Sequence, residues 1–328
     1  MSSESRSQSK TEPAVPYEGD RRRRNNDGNT LPAVNALSDL RTAMRHALIQ
    51  REKKFFKGLE RARSHPTEKA IHDLRVAMRR TIAMLDVVKA ILPKSGADRA
   101  GKHLDRHLGF FSDLRDTQVQ ITAIAQLAEE HPMLRELLDD LKSREAVQLK
   151  RACKELDRMR LGSLSKSLDE VRRGFDTFLL TPVVQEAALS ALHGMLARIF
   201  IRTVKLRNEI QESEKGRIET IHELRLRFKR FRYTAEILQP MNPNITSGLL
   251  NRMRRYQTMM GAIQDTTVLI AAVESYTKRV DRRRLKRSPL PGDSNKLLHD
   301  SLTNRLEKQV RTFLHSINEP DEYWKLIG

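Results

Sequence analysis

Ile71-His72-Asp73-Leu74-Arg75-Val76-Ala77-Met78-Arg79-Arg80, running on to Leu92-Pro93, and Ile221-His222-Glu223-Leu224-Arg225-Leu226-Arg227-Phe228-Lys229-Arg230, running on to Leu238-Gln239-Pro240, are copies of one pattern. Each reads as a helix stopped by a proline. At about 100° per residue, His72, Arg75 and Arg79 fall in one narrow stripe with Arg80 on its flank. His222, Arg225, Lys229 and Arg230 take the same angles in the second copy. The other side of the first helix carries Ile71, Leu74, Met78, Leu85 and Leu92; that of the second carries Ile221, Leu224, Phe228, Phe231 and Ala235. Each helix therefore has an apolar side for a core and a cationic side.

A second pair of segments supports a duplication. Asp105-Arg106-His107 with Leu114-Arg115-Asp116-Thr117 downstream matches Arg254-Arg255-Tyr256 with Ile263-Gln264-Asp265-Thr266 downstream. The offset is 150 residues for the first pair and 149 for the second, too long a unit for a solenoid. Working outward, helical patterning covers about Leu37 to Arg63, with Thr67 as a cap for the first motif helix. It continues over Asp98 to Glu130, with a break expected near Gly109, then Met133 to Arg160, and a shorter helix ending near Leu180. Thr181 caps and Pro182 opens the second half, whose helices cover Val183 to Ser213, Arg217 to Leu238, Thr246 to Arg284 and Asn295 to Ile317. The basic run Arg282-Arg283-Arg284-Leu285-Lys286-Arg287 leads into a turn-rich loop, Ser288-Pro289-Leu290-Pro291-Gly292. No strand is expected, and the fold class is all-α, built of bundles.

Residues 1–35, with the run Arg21-Arg22-Arg23-Arg24, hold too little apolar surface to offset chain ordering and read as a disordered basic tail. Residues 36–328 form the folded part, in two repeats of about 36–180 and 181–328.

The chain has 61 Lys and Arg against 42 Asp and Glu, a net charge of +19, which calls for a polyanionic partner. Aromatic residues are 5% of the chain and most Phe sit at apolar helix positions, which weakens a base-stacking nucleic-acid reading. Cys153 is the only cysteine, so neither an intramolecular disulfide nor a multi-cysteine metal site is available. No segment reads as a secretory signal or as a membrane span, and a cytoplasmic protein without membrane contact is expected.

The H-x-x-R-x-x-x-[KR]-[KR] helix, its repetition, the Lys229-Arg230-Phe231-Arg232-Tyr233 run and the Arg115-Asp116-Thr117 element resemble the CHAD family, the conserved histidine α-helical domains. The resemblance covers roughly Leu37 to the C-terminus. It implies two helical bundles related by a pseudo-twofold axis, and a central basic cleft that binds inorganic polyphosphate without catalysis or cofactor. It also implies recruitment to polyphosphate granules. Many relatives carry a triphosphate-tunnel domain, whose E-x-E-x-K signature is absent here, so a stand-alone module is expected.

The chemistry of such a ligand agrees with the stripes. Polyphosphate offers repeated anionic oxygens and no bases, so its receptor needs spaced cations on a rigid wall. His72, Arg75, Arg79, Arg80, His222, Arg225, Lys229 and Arg230 supply them, with Arg232 from the Lys229–Tyr233 run. Arg41 and Arg45, Arg198, Arg202 and Lys205 on the first helix of each half, and Arg106 and Arg255 on the third, are expected to extend the wall. His72 and His222 either donate to phosphate or pack against backbone; if they donate, binding tightens as pH falls from about 8 to about 6. Arg115, Asp116 and Asp265 read as ion-pairing or capping residues that hold helices together. DNA or RNA on the same surface is the alternative, since either polyanion gives steep salt dependence.

Catalytic readings fall away. His103 and His107 have metal-ligand spacing but no convincing carboxylate or cysteine partner. His72 and Asp73 diverge by about 100° on one helix, against the paired ligands of a phosphohydrolase. There is no phosphate-binding G-x-x-x-x-G-K-[ST] loop, and nothing assembles a nucleophile, base and orienting group.

Overall fold

The computed structural model describes residues 40–284 and 293–327. The tail at 1–35, its arginine run and the Ser288–Gly292 loop lie outside the described residues. Ten α-helices are described: α1 Leu40–Ser64, α2 Glu68–Ile91, α3 Ala97–Glu130, α4 Arg135–Arg158, α5 Leu161–Phe178, α6 Pro182–Glu212, α7 Arg217–Leu238, α8 Ser247–Arg284, α9 Asp293–His315 and α10 Glu319–Ile327. Single 3₁₀ turns at Pro132–Leu134 and Gln239–Met241 join the chain where prolines interrupt it. Among the described residues there is no strand.

The helix starts follow their caps. Thr67 Oγ1 accepts the Ala70 N–H at 3.2 Å, and Thr181 Oγ1 accepts that of Val184 at 3.4 Å, with Pro182 in the first turn of α6. Two expectations are corrected. α3 runs unbroken through Gly109, because the glycine penalty of about 1 kcal/mol is outweighed by burial of Leu104, Phe111 and Leu114 in the same helix. α10 follows Ile317, where no helix was expected; it buries Tyr323 fully and stacks Trp324 on Phe200 at 4.7 Å.

The apolar sides of the motif helices point into the core. Ile71, Leu74, Met78, Leu85 and Leu92 are buried, as are Ile221, Leu224, Phe228, Phe231 and Ala235. All ten belong to one continuous cluster spanning both halves, so the halves share a core. A smaller cluster joins the C-terminal end of α3 and the start of α4 to α8 and α9, through Ile124, Leu134, Leu141, Leu269, Val273 and Leu302.

α6 departs from the expectation that nothing approaches a membrane span. An 18-residue window in it has mean hydropathy 1.2, so by length and composition it could cross a bilayer. Its apolar residues Leu192, Leu196, Ile199 and Phe200 are buried in the shared core, which accounts for the composition. Arg198, Arg202 and Lys205 lie on its exposed side.

Candidate anion-binding site

With their apolar sides fixed in the core, α2 and α7 turn their histidine–arginine stripes toward a common cavity of about 650 Å³. α2 supplies His72, Arg75 and Arg79; α7 supplies His222, Arg225, Lys229 and Tyr233. α3 adds Arg115, Asp116 and Gln120, α8 adds Gln264, Asp265 and Thr266, and α9 reaches in with Arg305. Leu127 and Leu269 line the cavity and also pack in the smaller apolar cluster, which anchors that end of its wall. Six Arg and Lys side chains thus face two carboxylates.

The walls are polar but incompletely satisfied. Arg75 Nη2 donates to Ser112 Oγ at 3.3 Å, yet its Nε and Nη1 are buried without a partner. Arg225 Nε and His222 Nδ1 are buried and unpartnered too. Three of these four atoms are guanidinium N–H groups on residues that line the cavity, and an unmet buried donor costs about 1–3 kcal/mol.

The electrostatics point the same way. Burial, then Arg79 and Arg225, push Lys229 down to about 7. Arg75 is lowered to about 10 by burial and the neighbouring Arg79. His72 is lowered by burial and by Arg115, while burial raises Asp265 against the pull of Arg225. The cations repel one another in a partly dry space, and an anion would relieve that repulsion.

Arg115 has two placements: it is bonded to Glu68, tying α3 to α2, and it lines the cavity. Tyr233 and Arg305 were not anticipated. Tyr233 stands one turn beyond Lys229, a spacing readable from the quoted run; Arg305 lies in α9 with no motif around it.

The remaining residues expected in the wall lie elsewhere. Arg80 faces Glu236 at 3.9 Å, and Arg230 faces Asp86 at 3.2 Å, so each motif helix holds a carboxylate of the other. Both arginines sit on the flank of the stripe, turned toward the neighbouring helix. Arg232 is buried, donates to Gln257 Oε1 at 2.9 Å, is bonded to Glu236 and lies against the Tyr233 ring. Arg106 and Arg255 are exposed and off the cavity. Each precedes a cavity-lining residue, Arg115 or Gln264, by nine positions, about half a revolution of helix. α1 and α6 contribute nothing to the lining. Of their side chains, Arg41 stays in the first turn of α1, Arg45 pairs with Asp176 at 3.4 Å and Lys205 with Glu209 at 3.9 Å. Arg198 and Arg202 border a separate hollow.

Among the described residues no group of three His, Cys, Asp or Glu side chains could hold a metal. His107 does have a carboxylate partner, Glu155, 2.7 Å from its Nδ1, which corrects the expectation that none was at hand. Asp73 faces Arg61 at 3.6 Å and is not in the cavity wall, so it is not placed to act with His72 there.

A family model described as "CHAD domain" matches residues 33–274. The crystal structure of the CHAD domain from the plant Ricinus communis is similar in fold, with TM-score 0.59 at 14% identity, covering 87% of this chain and 94% of that one. No curated protein matches.

Proposed function

The chain belongs to the CHAD domain family, and from that premise we propose that it binds inorganic polyphosphate, without catalysis, in the cavity between α2, α3, α7 and α8. The observation that carries the reading is the convergence of two helical stripes on one cavity, where six Arg and Lys side chains meet two carboxylates. Successive phosphates present acceptor oxygens at short intervals, which suits guanidinium forks spaced along two helices. Tyr233 is the one Phe, Tyr or Trp side chain in the cavity lining, and Lys229 and Arg232 lie over its ring at 5.9 and 4.5 Å. Base stacking, on which single-stranded nucleic-acid binding depends, has no free platform there. A cytoplasmic protein recruited to polyphosphate granules is the cellular role that accompanies this reading.

The test is calorimetric titration with long-chain polyphosphate at near-physiological salt, competed with DNA, RNA and orthophosphate. Wild-type protein is compared with the variant Arg79→Glu/Lys229→Glu. Tight binding that nucleic acid does not displace, and that the double substitution abolishes, is the expected result. Equal displacement by RNA, or undiminished affinity in the variant, would overturn it.

A further inference from the structure

A second cationic hollow, of about 240 Å³, lies outside the cavity. Asp86 and Lys89 of α2 form one edge, seven and ten residues past Arg79, or about 10–15 Å along the helix axis. Arg230, the neighbour of Lys229 in α7, forms another, and Arg198 and Arg202, one turn apart on α6, form the third. The floor is apolar: Met195 and Ile199 are buried there.

Two of these cations are already engaged, Arg230 with Asp86 at 3.2 Å and Lys89 with Asp98. Arg198 and Arg202 are different. Both are exposed and neither has an ion-pair partner among the described residues, although they share a hollow with two further cations and a single carboxylate. Asp86 orients Arg230 toward this group and is too little to neutralise it. Two unengaged guanidinium forks one turn apart over an apolar floor suit phosphoryl oxygens better than a carboxylate side chain of the same molecule.

We infer that this hollow is a second phosphate subsite, occupied by the part of a long polyphosphate chain that overruns the cavity. The inference rests on the polyphosphate reading of the cavity and adds a dependence on chain length to it. A short chain fills one site; a long one engages both, and the second contact forms at high effective concentration.

Titration of the full chain with tripolyphosphate and with long-chain polyphosphate separates the two. Arg198→Gln/Arg202→Gln alters exposed side chains, and its circular dichroism melt should match that of the wild type. This variant is expected to bind tripolyphosphate within about twofold of wild type while losing about tenfold or more in affinity for the long chain. Unchanged long-chain affinity would overturn the subsite, as would an equal loss for both ligands, which would mark a general field effect. The Arg79→Glu/Lys229→Glu variant reports on the cavity independently: if it keeps both affinities, the polyphosphate reading of the cavity fails, whatever the hollow does.

Discussion

At the scale of single residues, Lys229 decides how the cavity responds to pH. Its folded value of about 7 lies well below the ordinary lysine value of 10.5. Between those values the unfolded chain holds a proton that the empty folded protein has lost, so stability of the unliganded fold rises with pH across the window. A bound polyanion restores that proton, so affinity should fall as pH rises from about 7 to about 9, by up to about tenfold per unit. Lys229→Arg keeps its charge and should flatten the profile; an unaltered profile in titrations at several pH values would remove Lys229 from the account. The histidine effect expected from unperturbed values moves as well, because burial and Arg115 shift the titration of His72 below its usual range. The six stripe residues His72, Arg75, Arg79, His222, Arg225 and Lys229 were legible from helical angle alone, since burying Ile71, Leu74 and Met78 leaves only one direction for the opposite side. Arg80 and Arg230 were not: periodicity places them on a flank but cannot reveal that the partner carboxylate belongs to the other helix.

Among the elements, the packing of α3 against α5 turns on Gly96. A Cβ there would stand 2.2 Å from the carbonyl oxygen of Ser167, a backbone atom that cannot swing aside. Gly96→Ala should therefore destabilise the fold by about 2 kcal/mol or more. Gly109, in the exposed middle of α3, has nothing within 4 Å of its Cβ position. The same substitution there should stabilise by about 0.5–1 kcal/mol. Urea unfolding of both variants checks the opposite signs. Helix extents were largely readable because caps and prolines mark them, as Thr67, Thr181 and Pro182 do. α10 escaped because nine residues are too few to establish a period, and its order comes from Tyr323 and Trp324 meeting the aromatic residues of α6, α7 and α8.

For the molecule as a whole, a net charge of +19 sets self-repulsion against the apolar core that the two halves share. Salt screens that repulsion, so the melting temperature of the empty protein should rise as sodium chloride goes from about 0.05 to about 0.5 M. Polyphosphate should have a larger effect at low salt, about 2.7 kcal/mol at 100 times its Kd, and the increment should shrink as salt weakens binding. Differential scanning fluorimetry along both axes would show it; a ligand increment indifferent to salt would contradict an ionic basis.

The exchange of Arg80 with Glu236 and of Arg230 with Asp86 follows the spacing of the repeated pattern. Asp86 and Glu236 lie 150 residues apart, as do Arg80 and Arg230, so each half carries its own version of both the arginine and the acid. Two identical copies of one half could make this exchange twice across a dyad, as the self-complementary contacts of a homodimer do. A single half offered twice would therefore meet its own acid with its own arginine. In the chain itself the copies differ, Asp86 against Glu236 and Arg79 against Lys229, and both crossed pairs are present.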